Sequence, residues 1–392
     1  MRIGAGLSQQ PDPRLGGIEA AQVAHAALGA ERADLAFVFA AGAHLAAPEA
    51  TLEGVTESLA PGAVAGCAAG GVLAGGHEVE DGTAVAVWAA SFDDGAGATV
   101  HHVPVEQVLD DPSMEVPQVA VELPDVEGAS GIVLLADPTS FPAEGALVEL
   151  ASRVPGVPIM GALASARGAD GEVALFAGDR VVEGGAVLVA FEGVELLPAV
   201  SQGAAPVGPE LTVTDAEGPL IRELAGVPAL DKLREVLDAL SPAEQLRLAD
   251  GMLLGLVVQQ GKPDYQPGDF LVRTLLGADP DTGAIAVGAM VEPGQVVRLH
   301  ARDARTADED LRAVLELHRE ALGGRTPAGA LLFSCNGRGA DRFGLPDHDA
   351  RAVDDAFGGA PAAGFFAAGE IGPVAGQPFL HAFTATVAVF AP

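Results

Sequence analysis

Apolar residues in this chain gather in short unbroken runs, and one arrangement of runs is written three times. The first copy is Leu35-Ala36-Phe37-Val38-Phe39, Ala63-Val64-Ala65-Gly66-Cys67 and Ala84-Val85-Ala86-Val87-Trp88. The second is Ile132-Val133-Leu134-Leu135, Pro158-Ile159-Met160-Gly161-Ala162 and Ala186-Val187-Leu188-Val189-Ala190. The third is Leu331-Leu332-Phe333-Ser334-Cys335, Ala362-Ala363-Gly364-Phe365-Phe366 and Ala385-Thr386-Val387-Ala388-Val389-Phe390. Between the first two runs of each copy the apolar period becomes helical. Leu52, Val55 and Leu59 carry it in the first copy, Leu147, Val148, Leu150 and Ala151 in the second, and Ala350, Val353, Ala356 and Phe357 in the third. Each copy reads strand, helix, strand, strand. Non-alternating apolar strands between helices predict an α/β fold of helix-covered mixed sheets.

The first two copies fill residues 33–192. A segment of different texture separates them from the third. Leu211-Thr212-Val213-Thr214 and Pro219-Leu220-Ile221 flank the turn signal Glu217-Gly218 and predict a hairpin. Leu230, Leu233, Val236, Leu237 and Leu240 predict an amphipathic helix over 229–240, and Leu311, Val314, Leu315 and Leu322 a second over 308–322. Strands are expected at 270–273, 284–287 and 295–299, and residues 252–301 read as a degenerate fourth copy. Pro198, Gly203, Pro206, Gly208 and Pro209 cluster as linker residues do. They divide the chain into two related domains, 1–197 with two repeat units and 198–392 with the third.

The chain of 392 residues is 49% apolar, enough for two cores. With one Trp and one Tyr, those cores are expected to be mainly Ala, Val and Leu. A net charge of -33 with only two lysines excludes nucleic acid and anionic membrane surfaces as partners, because both are bound by cationic groups. Two distant cysteines make no disulfide framework and fit a reducing compartment. Neither a secretory leader nor an apolar stretch of membrane-spanning length is visible, so a cytoplasmic protein is expected.

Repeats share scaffolding, so polar residues in one copy alone point to function. Binding groups in α/β sheets sit on loops beyond strand ends. At those places the first copy offers Ala40-Ala41-Gly42-Ala43-His44 and Cys67-Ala68-Ala69-Gly70-Gly71, and the second Asp137-Pro138-Thr139-Ser140 and Leu163-Ala164-Ser165-Ala166-Arg167. The third offers Cys335-Asn336-Gly337-Arg338-Gly339-Ala340-Asp341-Arg342 and Ala367-Ala368-Gly369-Glu370, with Asp347-His348-Asp349 and His381. Cys335 is either a ligand-touching thiol or a small buried residue. Asn336-Gly337-Arg338-Gly339 allows a tight turn with exposed amides, and lacks the ending of a P-loop. Arg338 and Arg342 suit a ligand carboxylate, or else pair with a nearby Asp or Glu. One aspartate before the third helix is expected to cap it. His348 and His381 are placed to pair across the site with Glu370, whose buried charge demands a partner. No metal-ligand spacing occurs, and no metal or cofactor is expected. His77-Glu78 and His101-His102 read as surface residues.

The chain resembles the FIST family, whose members carry FIST N-terminal and FIST C-terminal domains. The resemblance rests on Phe333-Ser334-Cys335-Asn336-Gly337-Arg338-Gly339, His348-Asp349-Ala350-Arg351, Gly364-Phe365-Phe366-Ala367-Ala368-Gly369-Glu370-Ile371-Gly372-Pro373 and Phe379-Leu380-His381-Ala382-Phe383-Thr384. In the N-terminal half Gly66-Cys67-Ala68-Ala69 is similar to the family's Gly-Cys-Ser-Ala motif, with Ala68 in place of Ser. The resemblance implies a small-ligand sensory and signalling role, with amino acids as proposed ligands, a separate signalling protein as partner, and no established enzyme activity. The expected ligand-binding set is Cys335, Asn336, Arg338, Arg342, His348, Asp349, Glu370, His381 and Cys67. The rival reading is an enzyme with Cys335 as nucleophile and His348 or His381 as base, and a third is a protein-interaction scaffold.

Overall fold

The computed structural model describes residues 1–29, 32–107, 119–166, 173–249 and 251–392. It is a mixed α/β protein with helices packed on mixed sheets. Two compact units emerge: Met1–Val200 with Arg312–Pro392, and Ser201–Leu311.

The larger unit is built from three equivalent sheets. In the first, strand Leu35–Ala41 lies between Ala84–Ser91, antiparallel, and Ala63–Ala68, parallel. Gly131–Ala136 lies in the same way between Ala186–Glu192 and Ile159–Leu163. Gly329–Cys335 lies between Ala385–Phe390 and Ala362–Ala367. The parallel step is crossed by helices Pro48–Leu59, Ala143–Arg153 and His348–Ala356, as the apolar periods predict. Each sheet also has an outer strand that the three-run pattern did not include: Arg2–Ser8, Gly97–Val103 and Leu196–Ser201. Helix Pro13–Leu28 was likewise not anticipated; its Ala and Gly residues give little amphipathic contrast.

The remaining hairpin of each repeat is exchanged around the ring. Val72–Ala74 and His77–Val79 of the first repeat extend the third sheet. Gly369–Val374 and Gln377–His381 of the third extend the second. Ala174–Ala177 and Arg180–Glu183 of the second extend the first. Every sheet is thus completed by another repeat, giving pseudo-threefold symmetry with no repeat able to close alone.

Both faces of these sheets are buried, which explains the unbroken apolar runs. Phe37 and Phe39 join a central cluster with Trp88, Phe191, Phe333, Phe365 and Phe390. Ala36, Val38 and Ala40 face the helix side with Leu52, Val55 and Leu59. The scarce aromatics are concentrated at the centre: Trp88 and Phe390 lie 5.0 Å apart, Phe191 and Phe390 5.4 Å, and Phe39 and Phe365 5.0 Å. The cores are mainly Ala, Val and Leu as expected, with the rings gathered in the central one. Rings fill the wide space between three sheets that small side chains leave empty.

The glycine in each repeated second run has a steric cause. A Cβ on Gly66, Gly161 or Gly364 would lie 1.9, 1.9 or 1.7 Å from the carbonyl oxygen of Val38, Leu134 or Leu332. These are the residues registered opposite them in the parallel pairs.

The smaller unit is an antiparallel sheet. Its strands run in the order Ala205–Glu217, Val296–Ala301, Met252–Val257, Phe270–Ala278, Ile285–Val287, Leu220–Leu224 and Val227–Pro228. The Glu217-Gly218 hairpin and the helix Ala229–Ala239 form as expected, and the helix expected near 308–322 spans Ala304–Ala321. Residues 252–301 are not a fourth copy. Met252–Val257 is antiparallel to both its neighbours, and the parallel helix crossover that defines a repeat is missing between them. Topologically, this unit is an insertion after the first strand of the third repeat.

Candidate functional site

The three parallel strands end at one place. Ser165 N donates to Ala68 O at 3.4 Å, and Ala368 N donates to Leu163 O at 3.1 Å. The third link of this ring differs: Gly70 N donates to Ser165 Oγ at 2.9 Å, and that hydroxyl donates to Phe366 O. A side chain bridges this link, and beside it Phe366 N donates directly to Gly71 O at 3.0 Å. Asn336, Gly70 and Ala368 are exposed beside this link, with Asn336 Oδ1 3.9 Å from where a Gly70 Cβ would stand. Arg167, from the expected loop of the second repeat, lies outside the described residues.

Cys335 ends the central strand of the third sheet and is 8% exposed. Its backbone N–H donates to Thr384 O at 3.0 Å, and the Glu370 carboxyl and the backbone of Gly337 and Phe383 are near enough to bear on its thiol electrostatically. Glu370 is fully buried on the exchanged strand Gly369–Val374. Its Oε2 accepts Thr384 N at 3.0 Å and Thr384 Oγ1 at 2.5 Å. Its Oε1 has no nitrogen or oxygen hydrogen-bond partner among the described residues. Burial pushes the Glu370 carboxyl up to about 7, against the Thr384 hydrogen bonds, the nearby Cys335 thiol and the Arg338 charge. Burial and the neighbouring Glu370 push the Cys335 thiol up to about 11, against the backbone of Gly337 and Phe383.

Behind this pair lies a closed ionic network. Arg338 Nε and Nη2 meet Asp349 Oδ2 and Oδ1 at 2.7 and 2.9 Å. Ser334 Oγ donates to Asp349 Oδ2 at 2.7 Å, and His348 Nδ1 lies 2.7 Å from Oδ1. The Phe343 ring stacks on His348, centroids 3.4 Å apart, and lies 5.2 Å from the Arg338 guanidinium carbon. Burial alone would raise the Asp349 carboxyl. The charge of Arg338 and three hydrogen bonds override it and hold the group well below the usual carboxylate range. Of the alternatives for Arg338, the carboxylate partner in the structure is Asp349.

His381 stands opposite Glu370 in the exchanged hairpin, and its Nε2 meets Gly372 O at 2.9 Å. His348 is turned to Asp349 rather than to Glu370. Arg342 sits half-buried on the short helix Ala340–Phe343. Cys67 is fully buried in the central cluster opposite Phe39, where burial pushes its thiol up, and it is not among the groups linked to Cys335.

The helix cap differs from expectation. Asp347 occupies the N-cap of His348–Ala356 in a left-handed conformation, yet its side chain makes no cap bond. It accepts Glu78 N at 2.8 Å and Arg351 Nη2 at 2.9 Å. Glu78 Oε1 accepts Ala350 N at 2.8 Å and so caps the helix from the first repeat. Glu80 acts likewise on Ala340 N, at 2.8 and 2.9 Å. Glu78 is therefore half-buried, with its carboxyl turned into the protein and not out to the surface. Burial, with the charges of Asp349, Glu80 and Asp347, raises its carboxyl to about 7 despite the Ala350 bond. Glu78, Glu80 and Ser165 were not legible as partners of the third repeat, because hairpin exchange brings distant repeats together.

A raised carboxyl binds its proton more tightly in the folded chain than in the unfolded one. Its stabilising contribution is full below about pH 4.3 and is lost as pH rises through about 7. Stability should therefore fall between pH 5 and 7 by on the order of 2 kcal/mol for each of Glu78 and Glu370. Urea midpoints across that range should flatten stepwise in Glu78→Gln and Glu370→Gln. Midpoints that rise with pH in the parent chain would contradict the assignment.

Fold and site together define a pseudo-threefold α/β protein with one chemically distinct strand end. The chain belongs to the FIST family: residues 34–227 match the FIST N domain and residues 229–373 the FIST C domain. It is 41% identical over 390 residues to the uncharacterized protein Rv0628c of Mycobacterium tuberculosis, covering 100% of both chains. It is 40% identical over 401 residues to the uncharacterized protein Mb0898c of Mycobacterium bovis, covering 100% of this chain and 99% of the relative. FIST domains are generally regarded as small-ligand sensory domains in signal transduction. Among the described residues no helix is long and apolar enough to cross a membrane.

Proposed function

We propose that this chain senses an amino acid or another small carboxylate at the strand end of its third repeat. The carrying observation is Glu370 Oε1, a buried carboxyl oxygen lacking a nitrogen or oxygen partner, on a strand that starts next to exposed Ala368. An ammonium group on the ligand satisfies such an oxygen. The turn Asn336–Arg338, exposed at Asn336 and Gly337, supplies an amide side chain and backbone for the ligand's carboxylate. Arg338 and Asp349 hold this turn in place and do not themselves meet the ligand, since each is spent on the other. The signal is carried by the exchanged hairpins, because Asn336 and Gly70, from different repeats, both border the Ser165-bridged link and a ligand seated on them acts on it.

A thermal-shift screen with amino acids and short-chain acids tests this. A ligand at 100 times its Kd should add about 2.7 kcal/mol of stability. Asn336→Ala and Glu370→Gln should weaken that response at least tenfold in concentration. No shift with any compound, or equal shifts in both variants, counts against the site.

A further inference from the structure

We propose that Phe383 is the side-chain subsite of the ligand site, so that the ligand is an amino acid or small acid bearing an aliphatic or aromatic side chain. The inference rests on the proposed site and narrows what it takes. Three observations converge on this ring. Its backbone is strained: φ at Phe383 is 64°, in the left-handed region that a bulky side chain avoids. The strain does not carry the ring into a core, because it is 42% exposed. One exposed ring is ordinary on a protein surface, but a ring held out at a left-handed φ is not. Finally, the ring lies against the turn that the ligand is proposed to meet. A Cβ on Gly337 would stand 2.9 and 3.0 Å from Phe383 Cδ1 and Cε1, so the ring edge rests on bare backbone.

The repeats again serve as an internal comparison. Val87, Leu188 and Val387 are registered opposite Val38, Leu134 and Leu332, the partners of the repeated glycines. Four residues before them stand Thr83, Gly184 and Phe383. Gly184 has a φ of 67°, so the second repeat makes the same turn with the residue that suits it. The third repeat alone sets an aromatic ring there, and it is the repeat with the polar strand end.

From Phe383 the chain runs straight into the site. Thr384 O accepts Cys335 N at 3.0 Å, and Thr384 N and Oγ1 hold Glu370 Oε2 at 3.0 and 2.5 Å. Glu370 Oε1 is left without a nitrogen or oxygen partner among the described residues. Asn336, Gly337, Ala382 and Phe383 are all exposed. A ligand with its ammonium toward Glu370 and its carboxylate on the Asn336 turn sets its side chain against the Phe383 ring. That contact takes apolar surface out of water on both partners, and each methylene fully covered strengthens binding about fourfold. A second carboxylate gains nothing from the ring and meets Glu370 in a chain of net charge -33.

Thermal-shift titrations of the full chain with glycine, leucine, phenylalanine, aspartate and lysine test the subsite. Leucine and phenylalanine should match the shift given by glycine at concentrations at least about tenfold lower, and aspartate and lysine should show no such gain. In Phe383→Ala the leucine and glycine concentrations should come within about twofold of each other, and Phe383→Leu should restore the preference for leucine. Equal responses to glycine and leucine in the parent overturn the subsite without needing any variant to fold, and leave the sensory reading standing. So does a leucine preference that survives Phe383→Ala. Tighter binding of lysine than of leucine would make the ring a platform for a cation and overturns the assignment as well. No response to any amino acid or short-chain acid sinks the sensory reading, and the subsite with it.

Discussion

Gly364→Ala should unfold the larger unit or cost it at least about 4 kcal/mol, because the clash is with backbone and has no soft partner to yield. The added Cβ would stand 1.7 Å from Leu332 O, 2.7 Å from its carbon and 3.1 Å from its nitrogen. The parallel pair would have to separate there. It runs from Ala330↔Ala362 to Cys335↔Ala367, so the separation would displace Cys335 itself. Gly66→Ala and Gly161→Ala should behave alike, with first contacts of 1.9 Å each. Gly145→Ala is the control. It is exposed within helix Ala143–Arg153 with open space around its Cβ, and should stabilise by about 0.5–1 kcal/mol. Urea denaturation of the four variants checks the pattern. A Gly364→Ala chain as stable as its parent would mean that the strands do not approach as described.

Asp349→Ala should destabilise by about 3–5 kcal/mol, since it strands Arg338, only 2% exposed, without its counter-charge. Ser334 and His348 would also lose their acceptor. The replacement Arg338→Met with Asp349→Leu should recover most of that loss, because it removes both charges together. With Asp349 intact, Arg338→Lys should itself destabilise, since an ammonium cannot match the bidentate contact. The pH sign is opposite to that of Glu78 and Glu370. The Asp349 carboxyl is lowered, so its contribution is present above about pH 3.9 and is lost as pH falls. Denaturant midpoints below pH 4 should therefore drop in the parent and be flatter in the double variant. An Arg338→Lys chain as stable as its parent, or no loss in Asp349→Ala, would refute the network.

Much of the fold was legible because burial on both strand faces leaves a direct signature. Runs such as Ile132-Val133-Leu134-Leu135 carry no alternation, and each preceded a helix with its own period. The outer strands were missed because their burial is partial: Gly97–Val103 is mostly half-exposed and mixes His101 and His102 with small residues. The fourth copy was a false extension. Apolar runs at 252–257 and 296–301 indicate strands, but runs alone do not distinguish parallel from antiparallel neighbours. Polar enrichment in the third repeat did bring Cys335, Glu370, Arg338, Asp349 and His348 into one region.

Sequence by itself determined the repeat, the helix-covered sheets and the repeat in which the polar groups collect, since these follow from local period and residue type. Tertiary structure alone decided which groups meet. Exchanged hairpins brought Glu78 and Glu80 to helices some 270 residues away, at separations of 272 and 260. The same exchange set Ser165 between Gly70 and Phe366. Sheet edges compete for any strand of matching register, and which repeat supplies that strand is settled by closure of the whole ring, not by any segment within it.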